Sequence, residues 1–462
     1  MTSIFDLIQL IASNALLYGG TFLLVLSVLV FVHEWGHYIV ARLCGVKVEI
    51  FSIGFGKEIF GVNDKHGTRW KFSLIPLGGY VKMFGDTDPA SAGQTDKVKD
   101  KDSEELREFT EEEKKVTFYN KPVLQRSLIV FAGPAINFLF AIILLFGLYT
   151  FYGQPVTPPA ASAVIEGTAA ERAGFEPHDY VLKINGLSVK RFEDIRREVM
   201  VALDTPLEFE VQRGDDVVTL TATPDKEEMT DRFGFKHSRG MLGIIGPANG
   251  IAIDNIISVD GRDVESPEQK REALLNAIGS PFKIGLDRGE QVDFLTVNPI
   301  KEFNEGLLDS ESPDFNVLIV SEDFGDDVLQ MGVLHAAKSS VSETWNITFS
   351  TLKAIGQIFT GTRSATELGG IIRIGAIAGD MAQAGLIALI TFTALLSINL
   401  GLINLFPIPM LDGGHLVFYA VEAIKGKPVP ESVQEYAFRF GFAVLIALML
   451  FANINDVVQL IM

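Results

Sequence analysis

His33-Glu34-Trp35-Gly36-His37 places two imidazoles four residues apart with a carboxylate beside the first. On a helix that spacing puts both rings on one face, where they can grip one metal ion, and Glu34 is set to act as a general base on water. This is hydrolytic chemistry at the end of an apolar run. A second cluster, Asn399 to His415, reads Asn-Leu-Phe-Pro-Ile-Pro-Met-Leu-Asp-Gly-Gly-His over its last twelve positions. Pro407 and Pro409 break a helix just before Asp412, and Gly413 and Gly414 allow close backbone approach after it, which suits a ligand on a turn. A carboxylate deep in an apolar run costs on the order of 3 kcal/mol on insertion scales, and a divalent cation would supply the counter-charge. Taken alone, Asp412 reads more simply as a solvated carboxylate at a membrane surface. Cys44 is the only cysteine, so any metal must be held by nitrogen and oxygen.

The elements that must position these groups are legible in the charge pattern. The chain has 462 residues, 48% of them hydrophobic and 21% charged, which implies membrane and soluble parts in one architecture. Its net charge of -19 argues against nucleic acid, which needs a clustered excess of Lys and Arg. No Asp, Glu, Lys or Arg lies between Asp6 and Glu34, Arg126 and Glu166, Asp380 and Asp412, or Arg439 and Asp456. These runs predict four transmembrane helices, at 1–43, 123–152, 382–411 and 436–455, the last near the short limit of roughly 20 residues for crossing a bilayer. Arg42, Lys47 and Lys57, then Lys114, Lys115, Lys121 and Arg126, then Lys425, Lys427 and Arg439 flank the spans. The positive-inside rule puts those loops in the cytoplasm and the segment from Tyr152 to Asp380 outside. His33 and His37 then lie toward the cytoplasmic end of the first span.

Within the first cytoplasmic loop, 44–122, residues Phe51 to Phe84 read as strands and turns, a membrane-associated hairpin. With Gly78 and Gly79 it could offer an edge to an extended peptide, or be a structural hairpin only. Gly85 to Lys115 is an acidic, solvated insert. In the second span Ala132-Gly133-Pro134-Ala135-Ile136-Asn137-Phe138 favours close helix packing, and Asn137 needs a polar partner. The outer segment repeats: Asn185-Gly186, Arg213-Gly214 and Thr223-Pro224 recur 75 residues later as Asp260-Gly261, Arg288-Gly289 and Asn298-Pro299. Two small domains of one type follow, at 158–225 and 240–301. An amphipathic helix at 328–362 leads back toward the membrane.

Thr168-Ala169-Ala170-Glu171-Arg172-Ala173-Gly174-Phe175, followed by Val181, Ile184, Asn185 and Gly186, resembles a PDZ domain. The second copy is atypical, with Gly246-Pro247-Ala248-Asn249-Gly250 in place of the small-residue helix. Taken with HEWGH, FSIGFGK, PLGGYVKM, AGPAINF and NLFPIPMLDGGH in order, nearly the whole chain resembles the site-2 protease family. The likeness is to its bacterial branch with tandem PDZ domains, of regulator-of-sigma-E protease type. That resemblance implies a multi-pass α-helical membrane protein with two PDZ-like α+β domains and an intramembrane zinc metalloprotease activity. It implies His33, His37 and Asp412 as ligands of Zn2+ and Glu34 as general base, with His415 left outside the set. Gly78, Gly79 and Tyr80, with Asn404, Pro407 and Pro409, are implied to hold the substrate as an extended strand. The implied substrate is a single-span membrane protein, an anti-sigma factor or a remnant signal peptide, in regulated intramembrane proteolysis at the bacterial inner membrane. Peptide or protein termini would dock on the first PDZ-like domain. The family's Ser-Gly-Pro step before the third span is replaced by Leu368-Gly369-Gly370-Ile371-Ile372-Arg373.

Overall fold

A computed structural model describes residues 15–86, 97–99, 106–247, 250–287, 289, 292–307, 316–321 and 328–461. Most of the acidic insert and much of the polar stretch ending near Asp327 lie outside the described residues, as do Arg288, the pair Ala248-Asn249 and the first fourteen residues of the first predicted span. The labelled helices are α1 (Thr21–Leu43), α2 (Val123–Phe151), α3 (Val333–Thr360), α4 (Ile371–Ala384), α5 (Leu386–Asn404), α6 (Asp412–Lys425) and α7 (Glu431–Ile461). Among the described residues four helices are long and apolar enough to cross a bilayer: Leu17–Leu43, Val123–Phe151, Leu386–Asn404 and Glu431–Ile461. The fourth charge-free run is part of a 31-residue helix, because that helix extends past the run at both ends. The Arg439–Glu435 pair at 2.5 Å lies in the added N-terminal turns. The third apolar run divides at Gly385, whose φ of 109° ends α4 and starts α5.

The chain falls into two units, one from 1–150, 332–349 and 368–462, the other from 151–331 and 350–367. In the first, small residues let helices approach closely, as packing within lipid requires. A Cβ at Gly36 of α1 would overlap the carbonyl oxygen of Ala132 in α2. One at Gly401 of α5 would come within 3.0 Å of the Pro134 carbonyl oxygen. Ser397 Oγ of α5 donates to the Asn137 carbonyl at 2.8 Å, and Ala141, Leu145, Ala394 and Ile398 close the α2–α5 seam. Thus α2 is the central post between α1 and α5.

Strands β1 (Val48–Asn63) and β2 (Arg69–Met83) pair antiparallel, and both bend, so two strands build four rows. Trp70 pairs with Val62 on one side and Phe51 on the other, and Phe51 pairs in turn with Val81. The row Gly79 to Met83 is therefore an outer edge. Gly54, Gly56 and Gly78 take the positive φ values that these bends require, at 88°, 86° and 116°. Phe55, Ile59, Phe60, Val62, Leu74 and Ile75 remain exposed on this sheet.

In the second unit the repeat is visible in the hydrogen bonds. Asn185 and Gly186 have φ of 49° and 75°, and Asp260 and Gly261 have 47° and 74°, the left-handed pairs that tight hairpins demand. Asn185 Oδ1 accepts from the Glu208 amide at 3.0 Å, and Asp260 Oδ1 from the Lys283 amide at 2.9 Å, again 75 residues on. Helices Phe192–Met200 and Pro267–Ala277 begin at the same offset. The strands are β3 (Ala160–Ala161), β4 (Ala163–Ile165), β5 (Asp179–Ile184), β6 (Leu207–Arg213), β7 (Asp216–Ala222), β8 (Ile244–Ile245), β9 (Ile256–Val259), β10 (Phe282–Asp287) and β11 (Val292–Val297). One sheet runs β7-β6-β5-β3, with Leu187–Ser188 also on β5; the other runs β8-β4-β11-β10-β9 and ends at Arg262–Asp263. Strand β4 comes from the first half of the sequence repeat but pairs in the second sheet. Its alternation puts Val164 in one hydrophobic core and Ala163 in the other.

The altered step at Leu368–Arg373 forms the start of α4. Oδ2 of Asp456, a buried residue of α7, accepts from the Gly370 and Arg373 amides at 2.9 Å each, and Asn453 Oδ1 accepts from Ile371 at 3.2 Å. A side chain from another helix thus satisfies amides that α4 leaves open. A Cβ at Gly370 would stand 2.8 Å from that carboxylate oxygen, so glycine is what the cap leaves room for. Asp456→Ala is expected to lower the stability of the helical unit by about 1–2 kcal/mol, with Asp456→Asn losing less. Thermal unfolding in detergent measures both, and equal melting temperatures for Ala variant and parent would contradict this cap.

Candidate active site

Residue Asp412 opens α6 and faces the histidines of α1. His33 Nε2 lies 3.1 Å from Asp412 Oδ2, His37 Nε2 3.5 Å from Asp412 Oδ1, and the two Nε2 atoms are 3.3 Å apart. The three side chains form a group whose candidate ligand atoms all lie within 4.8 Å of one another. The helical spacing of His33 and His37 puts both rings on one face. Asp412 is delivered by a tight return of the chain after α5. The Leu411 amide donates to the Ile408 carbonyl at 3.0 Å, and the Gly414 amide to Leu411 at 3.0 Å. A Cβ at Gly413 would overlap the carbonyl oxygens of Leu405 and Phe406, so the return closes only on glycine. Met410, with φ of 88°, carries the strain of this turn beside the site.

The second ring nitrogens are held as metal-binding imidazoles require. His37 Nδ1 lies 2.9 Å from the carbonyl of Ile129, in the turn of α2 that precedes Pro134. His33 Nδ1 lies 3.0 Å from the Asn137 amide, whose Oδ1 is buried without a partner. A half-turn of that amide sets Oδ1 against an Nδ1–H, supplies the missing partner and leaves the His33 Nε2 lone pair directed at the carboxylate. Gly133 lies opposite both rings, where a Cβ would overlap His37 Nε2 and come within 2.9 Å of His33 Cε1. Two imidazoles through Nε2 and one carboxylate, with their outer nitrogens engaged, fit a zinc ion with an open position.

These groups line a cavity of about 220 Å³, together with Glu34, Gly79, Tyr80, Val81, Met83, Phe118, Val130, Asn404, Met410, Leu411, His415 and Tyr419. Gly79 rides directly on α1: a Cβ there would lie 3.0 Å from Glu34 Cγ and 2.7 Å from Val30 Cγ1. Of the residues expected to hold substrate, Gly79, Tyr80 and Asn404 are on the wall, whereas Gly78, Pro407 and Pro409 are not. Gly78 serves the bend beside Phe55, and the Pro409 carbonyl packs where α7 has Gly441. On the far wall, Arg126 pairs with Glu422 at 2.6 Å and stands 5.0 Å above the Tyr419 ring, tying the start of α2 to α6. Burial pushes the Tyr419 phenol above its ordinary range, despite the opposing pull of Arg126, so it stays neutral. Phe118 and Tyr419 had no signal in spacing. Gly133 did, within the small-residue motif of the second span, but as a packing residue rather than as room for imidazoles.

The fold and this donor set define a membrane metallopeptidase. The sequence matches peptidase family M50 over residues 21–448. The chain belongs to that family, the site-2 protease family, and is a zinc metalloprotease with Zn2+ as its cofactor. It is 37% identical over 440 residues to a protein named as a zinc metalloprotease in Agrobacterium fabrum, covering 95% of each chain. A relative so named in Rhizobium meliloti is 36% identical over 437 residues, again covering 95% of each. The regulator of sigma E protease of Haemophilus influenzae is 34% identical over 467 residues, covering 96% of this chain and 98% of that one.

Gly133→Ala, which changes no candidate ligand, is expected to weaken zinc binding at least about tenfold, as losses around a metal's ligands do. Metal content by mass spectrometry after dialysis against a competing chelator checks this, with circular dichroism to follow the helices. Full zinc retention by Gly133→Ala would contradict the placement of both rings against α2.

Proposed function

We propose that the protein is an intramembrane endopeptidase that cuts single-span membrane proteins within or near their transmembrane segment. In this reading His33, His37 and Asp412 hold the zinc and Glu34 is the general base. One observation carries it: Glu34, the three-residue donor group and the outer strand Gly79 to Val81 share a single cavity. Bound zinc supplies Lewis acidity for attack of water on a peptide carbonyl. Glu34 takes the proton from that water and delivers it to the leaving amide nitrogen, so one carboxylate serves both halves of the reaction.

A transmembrane helix hides its own peptide bonds, so the substrate must be opened before it can be cut. Residues Gly79 and Tyr80 lie on an edge row whose inner side pairs with Ile53 and Ser52, leaving the outer side for an added strand. Gly78 supplies the bend at the head of that row. Asn404 lies on the opposite wall, able to hold a substrate amide, and Pro407 and Pro409 stiffen the chain that carries Asp412. Two PDZ-like domains on the outer side, the first with a docking site for peptide or protein termini, would admit substrates already trimmed. The orientation rests on the basic loops, with the active site toward the cytoplasmic face of the bacterial inner membrane. An anti-sigma factor or a remnant signal peptide is the substrate in view, within regulated intramembrane proteolysis. The name of the Haemophilus influenzae relative supports the first.

Glu34→Gln is expected to lower cleavage of a model transmembrane substrate by about 10²- to 10⁴-fold while the zinc content is unchanged. Undiminished cleavage would remove Glu34 from the mechanism.

A further inference from the structure

The β1–β2 sheet meets α1 at Gly79, over Glu34, and is tied to it again at the turn between its strands. The carboxylate of Asp64 in that turn is saturated with donors. Oδ1 accepts from the backbone amides of His66 at 2.8 Å and Thr68 at 2.9 Å, which are the turn's own. Oδ2 accepts from two side chains elsewhere, the Tyr38 hydroxyl and the Trp70 indole N–H, both at 3.1 Å. Tyr38 is the residue after His37 on α1, and it is buried. Trp70 stands two rows from the cavity wall: it pairs with Phe51, and Phe51 pairs with Val81 on that wall. The indole stacks on the Phe51 ring at 4.2 Å, and the Tyr38 ring abuts both, at 5.0 Å from Trp70 and 5.8 Å from Phe51. A rigid path thus runs from the helix residue beside a histidine, through one carboxylate and two stacked rings, to the strand that faces Glu34.

We propose that Asp64 is a positioning residue which, by locking the turn onto Tyr38, sets the register of the edge strand against the zinc site and so decides which peptide bond is cut. This rests on the reading that substrate is held as an added strand. Asp64 touches neither substrate nor metal, and it acts through Trp70, Phe51 and Val81. Burial works against its charge, but the N–H groups of Thr68, Trp70 and His66 and the Tyr38 hydroxyl outweigh that and hold its pKa at about 2. The acceptor is intact throughout the neutral range. Without it, the buried Tyr38 hydroxyl and the half-buried Trp70 indole N–H lose their partner and the sheet is free to shift on α1. Strand pairing has a side-chain period of two, so a shifted pairing that keeps the same faces moves the cut by two residues.

The test uses the full-length protein in proteoliposomes with a model transmembrane substrate, and maps the cleaved bond by mass spectrometry. Asp64→Ala and Tyr38→Phe are compared with the parent for kcat, KM, zinc content and melting temperature. The expected result is retained zinc, KM within about twofold, kcat reduced by about 10- to 100-fold as lost alignment of the reacting groups causes, and new products cut two residues from the original bond. A parallel series carries one N-methylated backbone amide at a time in the substrate, and alternating loss of cleavage is expected of an added strand. Alternating loss with the same single bond cut in both variants would overturn the role of Asp64 alone. Loss without alternation would overturn the added-strand reading, and this inference with it.

Discussion

Three side chains from opposite ends of the chain must meet inside an apolar bundle, and the rest of the helical unit is arranged so that they can. His33 and His37 cost little to bring together, because helical spacing does it. Bringing Asp412 to them requires α1 and α5 to be held against one post, and α2 is that post. Its small residues work at short range: Gly36 admits the Ala132 carbonyl, Gly401 admits that of Pro134, and Gly133 leaves the space that two imidazoles occupy. Here close packing and chemistry share residues, so a methyl group added for stability would be added at the site.

Buried polar groups follow the same economy of partners. Among the described residues, the carbonyl of Ile129 and the amide of Asn137 hold the outer nitrogens of the histidines, and Ser397 in turn holds the Asn137 carbonyl. Asp456 caps α4, while the Arg126–Glu422 pair anchors α6, the helix that carries Asp412. Asp456 is thus engaged by backbone amides and Arg126 by an opposite charge, as a low-dielectric interior favours. The sheet adds the remaining wall, with its edge strand resting on the helix that carries Glu34.

Much of this was written in local pattern. The histidine spacing, the four charge-free runs and the 75-residue repeat are one-dimensional signals, and each led to elements the structure contains. The paired Asn185-Gly186 and Asp260-Gly261 turns show why: both need left-handed backbone at consecutive positions, so the residue types announce the conformation. What was not legible depends on contacts remote in sequence. Helix α6 was hidden because its start is an apolar turn packed on glycines, α4 because it is capped from α7, and the bent four-row sheet because a bend leaves no periodicity of its own. Phe118 and Tyr419 reach the cavity only through the packing of α2 on α6. Strand β4 serves the second sheet from within the first repeat, which no alignment of the two halves reveals.

In the proposed site one zinc ion is held by two imidazoles of α1 and the carboxylate that opens α6. X-ray absorption at the zinc edge of the purified protein addresses it directly. A first shell of nitrogen and oxygen only is expected, at about 2.0–2.2 Å, with the outer scattering of two imidazole rings. A third imidazole, which His415 alone on the wall could supply, or a sulfur shell near 2.3 Å, would contradict it.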